Sequence, residues 1–504
     1  MTTAMAHDST VMLDSAIRRT EEFMASMPKA TRKKYGQFFT SGETAVFMAS
    51  MFDEPKGKDE ITILDAGAGS GILTVAAIER AQEFKWLKGV SVVCYETDSN
   101  VLPLLRENLQ DAAERSRVPV SFEIRGDNYI VSQREEYNET LLSDKTACRY
   151  DWVIGNPPYL KVGKDAPEAL AMPDVCHGAP NLYFLFAAMG MFNLRDGGEL
   201  VYIMPRSWTS GAYFRRFRKK ILRDGALERM HLFIGRDGVF GSEDVLQETV
   251  IAKFRKNPAK RKNVLISTTP GNGSFAARTE FSAPYADVVA GKDDYVFLAT
   301  NADELSVLRR LNRFEHTLPD IGIRMKTGLT VDFRNRDLIR DVPTPDSVPL
   351  FQSWHIKDGK VLFPSGPDSE DIDPLRTGLV QRNENYLFVK RFTSKEEKRR
   401  LQCGVYLSSK YADWDWISTQ NKVNFIAGDG ALSDCTVFGL YVLFNSSAYD
   451  GFYRMLNGST QVNATEVNSM PVPSRAEIEE MGRSLISAHN YEESTCDEIL
   501  GRYL

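Results

Sequence analysis

Ile61-Thr-Ile-Leu-Asp65-Ala-Gly-Ala-Gly-Ser-Gly71 reads as an apolar strand that ends in an acid and runs into three glycines. A helical stretch, ILTVAAIERA (72–81), follows directly. Strand, glycine turn and helix in that order make the first half of a βαβ unit. The glycines allow a tight turn and a close backbone approach to a ligand at the strand's carboxyl end. The Gly-x-Gly-x-Gly spacing differs from the Gly-x-Gly-x-x-Gly dinucleotide fingerprint. A glycine loop on its own suits packing as well as binding.

The flanking units decide for binding. SVVCYETD (91–98) is a second strand ending in Glu96, one βαβ unit onward, where a carboxylate can accept from both ribose hydroxyls of an adenosine ligand. A helix (99–116) leads to a third strand, VSFEIRGDNYI (120–130). There Asp127 can accept from an adenine amino group, and Tyr129 or Ile130 offers apolar contact. Each acid alone could be a helix cap. Acids at three successive strand ends point to a ligand site at the carboxyl edge of a parallel sheet.

The fourth strand is Asp151-Trp-Val-Ile-Gly-Asn156-Pro157-Pro158-Tyr159. The two prolines fix their own φ and hold Asn156 extended at the strand tip. Asn156 Oδ1 and the Pro157 carbonyl can accept the two hydrogens of an exocyclic amine, while the Tyr159 ring stacks on a flat heterocycle. A helix over 178–194 with Asn181 as cap, a strand at 198–204 and a basic helix carrying Arg215, Arg216, Arg218, Lys219 and Lys220 come next. That basic helix is equally a solvated face or a phosphate contact. The last strands fall in 228–254, and Phe240 in the loop between them is the candidate to cover the second face of a base stacked on Tyr159.

With 504 residues, two or three domains are expected. The first is assigned to 1–260, and 261–504 forms a linker near 258–300 plus a second domain. The six cysteines are scattered without Cys-x-x-Cys or a histidine cluster, which reads as reduced thiols of a cytoplasmic protein and no metal site. No apolar run is long enough to span a membrane, and the N-terminus lacks a signal-peptide core. The net charge of −6 argues against bulk capture of nucleic acid but leaves room for a local basic cleft. Arginines and lysines interleaved with aromatics do occur in the second half: Arg324, Lys326, Arg334, Arg336, Lys390, Arg391, Phe392, Lys395, Arg399 and Arg400. Ahead of the glycine loop, Tyr35-Gly-Gln-Phe-Phe-Thr40 precedes a helix capped by Thr40 or Ser41.

Taken together, these segments resemble the adenine-N6 DNA methyltransferases of type II restriction-modification systems, in the TaqI-type class and most nearly the PstI/BsuBI type. Residues 31–254 match motif by motif. MKTGLTVDFRNRD (325–337) and LNGSTQVNATEVNSMPVP (456–473) carry a looser C-terminal likeness. The resemblance implies an α/β fold, a seven-stranded Rossmann-like sheet with its last strand antiparallel, followed by a C-terminal target-recognition domain. It implies S-adenosyl-L-methionine as cofactor, bound by Thr40, Asp65, Gly67, Gly69, Gly71, Glu96, Asp127 and Tyr129, and a catalytic loop of Asn156, Pro157, Pro158 and Tyr159. The implied substrate is a flipped adenine in double-stranded DNA. The same loop chemistry would also serve cytosine N4, RNA or a protein glutamine. A monomer is expected, with the cognate restriction endonuclease as a separate chain.

Overall fold

Six-residue runs such as YDWVIG, buried on both faces, belong at the centre of a sheet, and runs with alternating exposure belong at its edge. The computed structural model places them so. It describes residues 10–26, 28, 39–143, 149–234, 249–258, 262–270, 275–365, 370–374, 377–394 and 396–504. The chain divides into two units, Met1–Thr209 with Tyr213–Tyr295, and Ser210–Ala212 with Val296–Leu504.

The first unit is built on β1 (Glu60–Ala66), β2 (Gly89–Tyr95), β3 (Val120–Arg125), β4 (Tyr150–Gly155), β5 (Leu194–Pro205), β6 (Gly225–Phe233), β7 (Thr249–Lys256), β8 (Asn263–Thr269) and β9 (Thr279–Pro284). Their order in the sheet is β3-β2-β1-β4-β5-β7-β6-β8-β9. β1 to β5 run parallel, β7 lies antiparallel between β5 and β6, β8 is parallel to β6 and β9 antiparallel to β8. Two strands therefore extend the expected seven. They occupy the stretch taken for a linker, and the expected boundary at 260 falls between β7 and β8 of one sheet.

Helices cover both faces. α1 (Thr10–Ser26), α2 (Gly42–Ser50), α3 (Ile72–Gln82) and α4 (Leu102–Arg115) share one apolar core with Ile61, Ile63, Trp152, Val201 and Ile203. The residues that alternate with these point the other way. Val153, Leu200 and Tyr202 meet Gly190 of α5 (Leu182–Asn193), where a Cβ would lie 3.2, 3.0 and 3.4 Å from them. Glycine lets this otherwise apolar helix sit close on the sheet. α6 (Arg215–Asp224) packs beside it.

The second unit holds a six-stranded sheet centred on Tyr386–Lys390 and Cys403–Tyr406, and a five-stranded sheet that includes Val348–Phe351 and Trp416–Thr419. Asn468 pairs with the main chain of Met325, accepting from its N–H at 2.8 Å and donating to its carbonyl at 2.9 Å. The two C-terminal segments singled out above thus meet, although 143 residues separate them. Among the described residues no helix is long and apolar enough to cross a membrane.

Candidate active site

The carboxyl ends of β1, β2, β3 and β4 converge on a cavity of about 370 Å³. Gly67, Gly69, Glu96, Asp127, Tyr129, Asn156, Pro157, Pro158 and Tyr159 all line it. Nine of the residues expected at the site are thereby brought together from four strand ends.

The glycine loop is held by its neighbour strand. Gly67 N and Ala68 N donate to the Tyr95 carbonyl at 2.8 and 3.0 Å, and Gly69 N donates to Glu96 Oε2 at 2.8 Å. Glu96 Oε1 accepts from Asp98 N at 2.8 Å, so one carboxylate ties the loop after β1 to the loop after β2. Gly69 takes a φ of 55° and Gly71 one of 84°, conformations that side chains disfavour. At Gly69 a Cβ would also approach Phe39 Cε1 to 3.3 Å, across the cavity lining. Gly71 does not line the cavity. It begins α3, and a Cβ there would stand 2.8 Å from Leu105 Cδ1, which makes its role one of packing.

Asp65 lies beneath the loop, fully buried and outside the lining. Its Oδ2 accepts from Thr74 Oγ1 at 2.6 Å, while Oδ1 has no hydrogen-bond partner among the described residues. Burial, helped by the charge of Glu96, pushes this carboxyl up to about 7 against the pull of Thr74. Between about pH 4 and 7 the folded chain then keeps a proton that the unfolded chain has released, so this contribution to stability is present at low pH and lost as pH rises through 7. Glu79, also raised to about 7 by burial, moves in the same window, so the measurement must be a difference. The melting advantage of Asp65→Asn over the parent, both ligand-free, is expected to grow by about 2 kcal/mol from pH 5 to pH 8. A constant difference would show that Asp65 titrates normally.

At the tip of β4, Asn156 Nδ2 donates to the buried Thr40 Oγ1 at 3.2 Å. This bond orients the amide, and Thr40 acts through Asn156 without lining the cavity itself. Ser41, not Thr40, caps α2, accepting from Thr44 N at 3.3 Å. The Tyr159 hydroxyl donates to the Ile203 carbonyl at 3.2 Å, and its ring meets Tyr183 edge-on at 6.0 Å. The residue is half-buried, and desolvation of its hydroxyl pushes the phenol above the usual tyrosine range, so the ring stays neutral. Gly155 closes β4, and a Cβ there would come within 2.7 Å of Tyr202 Cε1, so the position takes glycine. Tyr129 is buried with its hydroxyl donated to Asn193 Oδ1 at 2.8 Å, leaving its ring to the lining.

Phe39 and Phe186 also line the cavity. Phe39 lay inside the quoted aromatic segment, and Phe186 hid in a mostly apolar helix where nothing marks one ring from another. Phe240 lies outside the described residues. The basic helix does not turn all of its cations to solvent. Arg218 is buried, donating to the carbonyls of Asp293 and Trp208, and Arg215 and Lys220 pair with Asp293 and Asp174. Arg400, counted above with the surface cations, is likewise buried against Thr393 and Ser459.

The Eco57I restriction-modification methylase family matches residues 77–240. The chain is 32% identical to the type II methyltransferase M.PstI of Providencia stuartii, over 95% of each chain. This chain belongs to the type II restriction-modification methylases. The methylase is also 32% identical to M.BsuBI of Bacillus subtilis, over 90% of this chain and 91% of that one. Its fold is similar to that of the type IIL restriction-modification enzyme MmeI, solved in complex with DNA, with a TM-score of 0.53 at 11% identity, covering 99% of this chain and 74% of the other. The methylase's cofactor is S-adenosylmethionine.

Proposed function

We propose that this methylase transfers a methyl group to the N6 amino group of an adenine swung out of duplex DNA, marking one short sequence against a cognate endonuclease carried on a separate chain. On this reading it works as a monomer in the bacterial cytoplasm, Met1–Tyr295 supplying the catalytic domain and Val296–Leu504 the target-recognition domain. The observation that carries the reading is the shared cavity: Asn156 and Tyr159 stand on the same wall system as Glu96, Asp127 and the glycine backbone.

The lining fits the cofactor. Two acids, an exposed stretch of glycine backbone and the Phe39 ring suit a nucleoside with vicinal hydroxyls, an amino group and a flat base. Glu96 would accept from the ribose hydroxyls and Asp127 from the adenine amino group. When bound, S-adenosylmethionine supplies an electrophilic methyl on its sulfonium.

The remaining work falls to the chain. An adenine amino nitrogen is a poor nucleophile because its lone pair is spread into the ring. Asn156 Oδ1 and the Pro157 carbonyl, accepting its two N–H groups, favour charge on nitrogen and aim the lone pair out of the ring plane. Catalysis is then positioning and electrostatics, with no covalent intermediate. Extracting the base costs a few kcal/mol, and stacking on Tyr159, about 1–3 kcal/mol, offsets part of it. Labelled methyl transfer to unmethylated duplex DNA, followed by nucleoside analysis, tests the proposal. N6-methyladenine at one short motif is expected. N4-methylcytosine would correct the base, and label found only in RNA or protein would overturn the reading.

A further inference from the structure

The second unit presents two phenylalanines to solvent, Phe333 with 74% and Phe392 with 45% of its surface exposed. They are tied to one turn. Asp332, next to the first ring, accepts from Gln420 Nε2 at 2.6 Å and pairs with Lys422 at 3.3 Å. Arg391, next to the second, donates its main-chain N–H to the Lys422 carbonyl and its guanidinium to the Asn421 carbonyl, both at 2.9 Å. Each ring carries its neighbour's cation. Arg334 Cζ lies 5.5 Å from the Phe333 centroid and Arg391 Cζ 5.6 Å from that of Phe392. Neither guanidinium has an ion-pair partner among the described residues.

We infer that Phe333 and Phe392, with Arg334 and Arg391, form the contact by which the second unit grips the DNA duplex: the rings press into a groove against sugars and base edges while the guanidiniums meet the phosphates. The inference rests on the proposed function and names where in that unit the substrate is held. An apolar protein surface laid on this patch would bury two charges without counter-ions, at high cost. Nucleic acid offers flat apolar edges beside a regular row of anions, so ring and cation are both satisfied. The overall charge of −6 makes this local positive cluster a departure from the rest of the chain. Two segments of distant sequence, 332–334 and 391–392, build it around the 420–422 turn. It differs in kind from a single exposed hydrophobe, which any surface tolerates.

The test is anisotropy of a fluorescent duplex bearing the target site, with the full chain. Phe333→Ala and Phe392→Ala are each expected to weaken binding by about tenfold, and the double variant by more. Cofactor affinity should be unchanged. Arg334→Gln should instead flatten the dependence of binding on salt, because a phosphate contact is lost. Should the double variant fold poorly, p-benzoylphenylalanine at 333 and at 392 in otherwise intact protein gives a second measurement. Photocrosslinks to the duplex support the inference. Crosslinks only to another copy of the chain, or wild-type affinity in the double variant, overturn it. Failure of the parent to methylate duplex DNA at all would sink the proposed function itself, whereas methylation with an unchanged KM for duplex DNA after loss of both rings sinks this inference alone.

Discussion

Asn156→Ala is expected to lower the rate of methyl transfer by about a thousandfold or more while S-adenosylmethionine affinity stays within about threefold of the parent. The asymmetry follows from where the side chain is anchored. Asn156 leaves β4 at a strand tip that two prolines hold rigid, and its amide donates to the Thr40 hydroxyl. On the proposed reading truncation removes an acceptor for the reacting amine, and it leaves the Gly69–Glu96–Asp98 links intact. Asn156→Asp sharpens the test, since it keeps an acceptor that the Thr40 hydroxyl can orient by donating. It should retain more activity than alanine, with the loss in kcat. Equal loss in both variants, with cofactor affinity falling alongside, would mean that the loop is structural and the amide has no part in transfer.

The strands and acids around this loop were legible in the sequence because each βα unit carries its own punctuation: glycines after Asp65, an acid at Glu96, prolines after Asn156. Such signals are local, and the sheet order follows from them with few alternatives. The features that were not legible depend on partners distant in the chain. NVLISTT and TEFSAP are short and rich in hydroxyls, so they read as linker. Pairing of the first with β6 makes them strands. Arg218 and Arg400 read as surface cations because charge normally seeks water. Buried carbonyl and hydroxyl acceptors, brought in from 75 residues away for Arg218, make their interiors habitable. Thr40 passed for a cap because its bond to Asn156 spans 116 residues, and no spacing rule reaches so far.

Loss of Lys253 is expected to be the most damaging single change to stability, at about 3–5 kcal/mol for Lys253→Ala. The side chain is fully buried on β7, with Nζ 2.7 Å from Asp53, 2.7 Å from Glu199 and 3.4 Å from Glu228. These three carboxylates lie close enough together to suggest a metal site. The ammonium already supplies their cation, and Arg255 joins it by pairing with all three. The balance is uneven. Burial pushes Glu199 above the usual carboxylate range despite Lys253 and Arg255, whereas at Asp53 the pull of Lys253 and Arg229 overcomes burial and holds the group low. Removing Lys253 leaves Glu199 buried with less compensation, so part of the loss should be relieved at low pH, where Glu199 can take a proton. The paired change Lys253→Met with Glu199→Gln removes both charges and should recover most of the stability. Thermal melting of the three proteins at pH 8 and pH 5.5, with and without a chelator, separates the explanations. A chelator that lowers the parent's melting point would assign the carboxylates to a metal. Insensitivity to chelator, with the double change more stable than Lys253→Ala, assigns them to the lysine. Glu199 precedes Leu200 and Val201 on β5 and pairs in register with Arg255, on the amino-terminal side of Ile203, whose carbonyl holds Tyr159. Variants of this network that still fold should therefore keep the parent's kcat, which separates the groups that hold the sheet together from those that use its far edge.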